Sequence, residues 1–559
     1  MSAWKNNYPR PQMKRASFLP LLDGWKLNDN PIQLPFCPES LLSGYEGNLG
    51  DTMTYETTFT LPRTFLPKGQ RLLLHFGAVD QIAEVFVNGR PVVRHEGGYL
   101  PFYGDITPLL VPGENQLTVF AIDMLDRDFP YGKQKKQRGG MWYTPVTGIW
   151  QPVWLEAVPE KPITALKIVP DLTGITLTVD TQAAHVDVVI RLDGAEVARS
   201  SFANNGEARR IDIPKEHIHL WTPDSPNLYD LTVSAGADTV ESYFALRTVE
   251  IKPDKHGINR LCLNGQPIFL NGVLDQGYFT DGHYLPGDPK EYERDILRMK
   301  ALGFNMLRKH IKVEPEAFYE ACDRLGMLVM QDMVNNGGYN YVFDTVLPTI
   351  GFQWRPNWPV SQRRKDIFNA CARETIAHLH NHPCVIGYTI FNEGWGQFDA
   401  ARLYREFKAL DPTRFWDTAS GWFIPKETDV DSKHVYFRNK KLKPGKRPML
   451  LSECGGYGRK IEGHLWNPAN EYGYGKTDTE QQLTEAIGKM YAEMVKPAIA
   501  AGLCGVVYTQ LSDVEDEING LYTYDRQVCK VDAERMREIL REAEEILRKA
   551  VEGQVVRQT

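Results

Sequence analysis

Closely spaced cysteines are missing from this chain. Its eight, at positions 37, 262, 322, 371, 384, 454, 504 and 529, are never nearer than 13 residues to one another. No CxxC pair exists, so free thiols in a reducing cytoplasm are expected rather than a disulfide framework. No apolar run approaches the roughly 18 residues that a membrane span needs. The opening MSAWKNNYPRPQMKR has no apolar stretch of the kind a secretory leader carries. An excess of positive charge is lacking too. Against 64 Lys and Arg stand 71 Asp and Glu, a formal net charge of -7, which argues against a nucleic-acid partner. Neither HExxH nor GxGxxG occurs. GKT at 475–477 is not a phosphate loop, because Asn470 stands where that motif needs its first glycine. No repeat of fixed period and no low-complexity linker interrupts the chain.

Aromatic residues are plentiful, with 12 Trp and 25 Tyr in 559 residues. Such rings fill sandwich cores and also suit sugar surfaces. Over residues 1–160 short β-branched and aromatic segments are separated by Gly and Pro turns: TMTYETTFTL, RLLLHF, AEVFVNG, NQLTVFAID and GIWQPVWLEAV. This spacing predicts a two-sheet β-sandwich. Residues 161–250 repeat the style on a smaller scale, as in an Ig-like sandwich. From 251 to 559 short apolar strands alternate with helical stretches, the mark of βα units. Eight strand candidates run over 268–275, 304–310, 327–333, 385–393, 414–420, 434–438, 449–456 and 505–513. Helices are expected over 290–303, 314–326, 361–382, 479–502 and about 531–550. Eight strands in about 300 residues predict a (β/α)8 barrel, and hence a multidomain protein.

In such a barrel the strands end in the functional mouth. Glu393 closes the fourth strand, YTIFNE, and Glu453 closes the seventh, LLSE. Two carboxylates facing each other suit glycoside cleavage: one protonates the leaving oxygen and the other attacks the anomeric carbon. Glu393 is the expected acid/base, kept partly protonated by apolar surroundings and by Glu453. Glu453 is the expected nucleophile, kept ionised by a cation, for which Arg308 at the end of the second strand is the candidate. Asp275 and His310 lie beside strand ends, placed either for sugar hydroxyls or for structural hydrogen bonds. Trp354, Trp358, Trp395 and Trp422 lie in strand-end loops. Trp395 is the candidate sugar platform, with rim packing as the alternative. His378, His380 and His382 fall at a helix end, where alternate residues do not share a face, so no metal site is expected there. No cofactor and no metal is expected.

The chain resembles glycoside hydrolase family 2, which includes β-galactosidases, β-glucuronidases and β-mannosidases. The carriers are VFVNGRPVVRHEGGYLPFYGDIT, GIWQPVWLE, LWTPDSPNLYDL, FALRTVEI, LNGQPIFLNGV, and the pairs Asn392-Glu393 and Ser452-Glu453. The resemblance implies a jelly-roll sandwich, an Ig-like sandwich and a catalytic TIM barrel, acting with retention through a glycosyl-enzyme. It gives Glu393 the acid/base role and Glu453 the nucleophile role. It implies contact of Asn392 with the sugar 2-hydroxyl, and places Tyr508 where an aromatic often ends the eighth strand. Homo-oligomers are common in that family. The chain also departs from its pattern. Cys454 follows the nucleophile, the first strand ends in Leu274-Asp275-Gln276-Gly277-Tyr278, and no uronate-gripping Asn-x-Lys follows Asn519. The expected activity is that of an exo-β-glycosidase. Galactosides are favoured, and uronides are the alternative because of Arg308, Lys309, Arg459 and Lys460. A carbohydrate-binding protein on a hydrolase scaffold, and transglycosylation, are the other readings.

Overall fold

A computed structural model describes residues 3–353 and 359–552. Trp354 and Trp358 lie outside the described residues. The first sandwich packs a four-stranded sheet on a six-stranded one. The former runs Leu19–Pro20, Val153–Val158, Arg71–Phe76, Phe102–Asp105; the latter runs Asn30–Ile32, Trp25–Leu27, Thr52–Thr60, Glu114–Ile122, Ile82–Val87, Arg90–Glu96. Period-two alternation puts Met53, Tyr55 and Phe59 inside and leaves Thr52, Thr58 and Thr60 exposed. The second sandwich pairs the sheet Ile163–Pro170, Gly174–Thr181, Arg209–Asp212 with Ala195–Ala203, His185–Leu192, Tyr229–Ala235, Asp238–Phe244. Its core is its own, built on Val186, Val188, Ile190, Leu231 and Val233.

Eight parallel strands follow: β1 (Leu270–Asp275), β2 (Met306–Lys309), β3 (Leu328–Asp332), β4 (Val385–Asn392), β5 (Phe415–Ser420), β6 (Asp431–Val435), β7 (Met449–Gly455) and β8 (Leu503–Thr509). The ladder order is β5-β4-β3-β2-β1-β8-β7-β6, a nearly closed barrel. Its strands are covered on both faces, so they read as continuous apolar runs, as β4 does from Val385 to Phe391. Helices Lys290–Ala301, Glu316–Leu325, Gln362–Leu379, Ala400–Leu410, Glu480–Met490 and Ala533–Glu552 surround it. The second of these ends at Gly326 in the left-handed region (φ +70), where an added Cβ would meet the Pro223 carbonyl oxygen at 2.4 Å. Only glycine lets the helix end sit that close to the second sandwich.

Two differences from the sequence reading bear on the site. The sixth strand lies at 431–435 rather than 434–438; no helix joins β5, β6 and β7, where the sequence marked none. The first sandwich also does not stand apart from the barrel. One continuous hydrophobic cluster contains Tyr99 and Trp150 from the sandwich together with Tyr284 and Ile311 from the barrel. The sandwich segment 126–147 reaches across the barrel mouth. Tyr131 donates its backbone N–H to the Asn335 carbonyl at 3.2 Å, and Tyr143 bonds Glu517 through its hydroxyl.

Candidate active site

Arg308 organises the mouth. Its side chain is fully buried, a position an arginine tolerates only when every donor is used. Nε donates to Asp332 Oδ1 at 3.0 Å. Nη1 donates to the Ser452 carbonyl and to Glu453 Oε1, both at 3.0 Å. Nη2 donates to Asn392 Oδ1 at 3.0 Å and to Ser420 Oγ at 2.9 Å. One guanidinium from β2 therefore ties together the ends of β3, β4, β5 and β7. Asp332 also meets His310 Nδ1 at 2.7 Å, and its pKa is lowered because Arg308 and His310 outweigh its burial. Burial, assisted by Lys133, pushes His310 down to about 4, so its ring is neutral at pH 7.

The two glutamates sit in unlike surroundings. Glu453 takes Arg308 on one oxygen and, on the other, the Tyr436 hydroxyl at 2.6 Å; His434 Nδ1 is 3.6 Å away. Burial alone would raise its pKa, but His434, Arg308, His310 and Lys133 overcome that and bring it to about 2. Glu393 meets His434 Nδ1 at 2.8 Å. Its pKa is raised, by burial first and by the charge of Glu453, against the opposing pull of His434. One oxygen of each glutamate and a His434 ring nitrogen lie within 4.8 Å of one another.

Local backbone geometry explains the abrupt end of β4. Strand pairing stops at Asn392, and Glu393 takes a left-handed φ of +54, uncommon for a residue with a side chain. Its N–H is held by the Ser420 carbonyl at 3.1 Å. Gly396, with φ +66, comes so close to Asn336 that an added Cβ would lie 2.0 Å from its carbonyl oxygen. The turn thus aims the Glu393 carboxylate into the mouth.

Of the residues singled out in the sequence, Glu393, Glu453, Asn392, Arg308 and His310 converge here. Asp275 instead accepts Lys309 Nζ at 2.6 Å and the Gly277 N–H at 2.9 Å, a buried ion pair whose lysine lies over the Phe318 ring of the following helix. Trp395 is 2% exposed, its indole N–H donates to the Gly337 carbonyl at 3.0 Å, and Tyr131, Trp142 and Tyr339 pack edge-on against it. It has no open face for a sugar, and the platform expectation is corrected to the rim-packing alternative. Tyr508 is buried with its ring over Gly455, because side chains alternate along β8 and it is Thr509 that reaches the Tyr436 hydroxyl, at 3.0 Å. Trp422 is buried against His434 and donates to the Glu393 carbonyl at 3.1 Å. The cations invoked for a uronide already have partners within the protein. Arg308 and Lys309 are buried in ion pairs, Arg459 donates to the Lys530 carbonyl at 2.7 Å, and Lys460 lies 3.3 Å from Glu462. His382 pairs with Asp323 at 2.7 Å and His380 lies 3.5 Å from Asp411, so these two histidines have different carboxylate partners.

His434, Tyr436, Asp332 and Ser420 went unrecognised in the sequence. The first two flank the end of β6, inside the expected strand 434–438, but only the folded barrel brings them to the two glutamates. Glu393, His434 and Glu453 are also the group among the described residues that could hold a metal ion. Arg308 already neutralises charge at that point.

Three family models cover most of the chain. The glycosyl hydrolases family 2 sugar binding domain matches residues 33–159, a second family 2 model matches 163–247, and the family 2 TIM barrel domain matches 255–443. The chain belongs to glycoside hydrolase family 2. Among its relatives in the family are a β-galactosidase of Thermoanaerobacter pseudethanolicus, 25% identical over 371 residues, and β-mannosidase B of Aspergillus terreus, 26% identical over 443. These matches cover 61% and 68% of this chain but only 45% and 47% of those proteins, so the chain spans about half the length of these curated relatives. A β-D-glucuronidase structure from Dictyoglomus thermophilum superposes with a TM-score of 0.76 at 19% identity, covering 96% of this chain and 98% of that one. This likeness shows the shared fold. The barrel match includes Glu393 and stops before Glu453.

Proposed function

We propose that the protein hydrolyses a terminal β-linked sugar with retention of configuration, with Glu453 as nucleophile and Glu393 as general acid/base. The observation that carries this reading is the pair of carboxylates within 4.8 Å whose environments push their pKa values apart. Retaining pairs stand about 5–5.5 Å apart, whereas inverting pairs leave about 6.5–9.5 Å for a water. Arg308 and Tyr436 hold Glu453 ionised and aimed. Asn392 gives its side-chain oxygen to Arg308 and Ser420, which leaves its amide N–H groups for a sugar hydroxyl. When Glu453 bonds the anomeric carbon, its charge disappears. The carboxyl of Glu393 then loses a repulsive neighbour, its pKa falls, and it can take a proton from the incoming water.

The pH dependence follows. Glu453 must be ionised, so kcat/KM falls on the acid side only as pH approaches about 2. Glu393 must be protonated, so kcat/KM falls on the basic side as pH rises through a value above the ordinary glutamate range. A pH profile with its basic limb at or below pH 4 would contradict these assignments. Tyr436→Phe removes a hydrogen bond to a charged oxygen, worth about 1.5–3 kcal/mol, so kcat should drop roughly 10- to 100-fold. The Tyr436→Phe acid limb should also move upward, which a merely structural tyrosine would not cause.

For the sugar, β-galactoside is the first reading, supported by the curated relatives. A β-uronide is the second, favoured by Lys133, whose positive charge acts on both glutamates and which makes no ion pair among the described residues. A panel of p-nitrophenyl glycosides in both anomers, with galactoside, glucoside, mannoside, arabinoside, glucuronide and galacturonide, decides between them. One β-glycoside cleaved well above the Glu453→Gln blank, with or without chelator, is the expected result. No cleavage alongside sugar binding would instead favour the carbohydrate-binding reading.

A further inference from the structure

Around the aromatic cluster that covers Trp395 lies a cavity of about 280 Å³, lined by Arg127, Tyr131, Gln134, Lys135, Trp142, Tyr339 and Tyr341. Its walls come from two domains: the sandwich segment 126–147 and the stretch after β3. Trp142 and Tyr339 pack edge-on against each other at 5.2 Å, and each packs against Trp395 at 5.3 and 5.9 Å. The Trp395 backbone N–H bonds the Asn392 carbonyl at 2.9 Å in the turn that holds Glu393. Tyr339 is close enough to Glu393 for that charge, after burial, to raise its pKa.

The cavity is cationic as well as aromatic. Gln134 is buried, its side chain bonded to Asp80 and Tyr99 at 3.3 and 3.1 Å. Lys135, its neighbour in the chain, lines the same cavity. Lys133 lies 6.0 Å from the Tyr143 ring and Lys135 lies 5.9 Å from the Trp142 ring. Lys135 and Arg127 line the cavity, and Lys133 lies outside that lining. None of these three pairs with a carboxylate among the described residues, although Lys136 and Arg138 in the same segment do.

We propose that this cavity is the leaving-group subsite and takes a ring bearing a negative charge, a carboxylate or a sulfate. The proposal rests on the acid/base reading of Glu393, because a general acid stands beside the oxygen it protonates and hence beside the leaving group. The ring stacks on Trp142 and Tyr339. Lys135 meets the anion from the side of the Trp142 ring, and Arg127 reinforces the field.

The test uses matched pairs of β-glycosides of the preferred sugar. One pair has a phenol and a sulfonated phenol as leaving group; the other has glucose and glucuronate. Wild type should prefer the charged member in kcat/KM, and which pair shows the larger preference tells an aryl from a sugar ring. Lys135→Glu should lower the charged-to-neutral ratio at least about tenfold, and Lys135→Arg should restore it. An unchanged ratio in Lys135→Glu overturns the subsite. If wild type cleaves no glycoside, the hydrolase reading fails instead, and the cavity is judged by binding alone. Free 4-hydroxybenzenesulfonate, followed by saturation-transfer NMR, should then bind wild type at least tenfold more tightly than Lys135→Glu; equal binding overturns the proposal.

Discussion

Glu453→Gln is expected to reduce turnover of an activated aryl β-glycoside by roughly 10⁴-fold or more, the scale of removing a nucleophile. The substitution keeps shape and volume. Its side-chain oxygen can still accept from Arg308 or Tyr436, which the native carboxylate meets at 3.0 and 2.6 Å. Asp332 continues to neutralise Arg308, so no bare buried charge remains. The variant should therefore fold, with a melting temperature within a few degrees of wild type, and the loss should fall on chemistry. Near-normal rates in a folded variant would remove Glu453 from the nucleophile role. So would an inverted first-formed anomer from wild type, read by NMR at early times.

Glu393→Ala should behave differently. General acid–base catalysis contributes about 10²–10⁴-fold, and the share depends on how much the leaving group needs a proton. Dinitrophenyl glycosides need little, so their first step should proceed and the glycosyl-enzyme should accumulate. Poor leaving groups should lose the full factor. Azide needs no general base and fits the space vacated by the carboxylate, so it should restore turnover and give a β-glycosyl azide. The basic limb of the pH profile should vanish in this variant, because the group whose pKa is raised by burial and by Glu453 is gone. If turnover is unchanged for poor leaving groups, or if azide yields no adduct, Glu393 is not the acid/base.

Both tests concern residues that were legible in the sequence. A run from Val385 to Phe391 with every side chain buried is what a barrel strand needs, and it stops at an amide and a carboxylate where a barrel presents its mouth. The same reasoning located β7 and Glu453. It failed at β6. Ser432 and His434 point inward from that strand, bonding Ser452 at 2.5 Å and Glu393 at 2.8 Å, so hydrophobic patterning marks a strand three residues too late. His434 and Tyr436 lay within the expected strand, but no local pattern says that they meet Glu393 and Glu453, which lie 41 and 17 residues away. The helix Ala400–Leu410 was missed because Leu403 and Phe407 are the only large apolar side chains it fully buries.

The chain's sequence by itself determined the order of elements, the barrel and the two carboxylates. Each is written in a local period, two for strands and about 3.6 for helices, and in where that period stops. Only the tertiary structure decided what surrounds them. Arg308 meets partners 24 to 145 residues away along the chain, and Trp142 covers Trp395 from another domain. That cover is why Trp395 serves as packing rather than as a sugar platform. Lys133 acts on both glutamates from a segment of another domain, where Gln134 is bonded to Asp80 and Tyr99. No local period encodes such contacts, since long-range packing and the field inside a buried mouth depend on which surfaces the folded chain brings together.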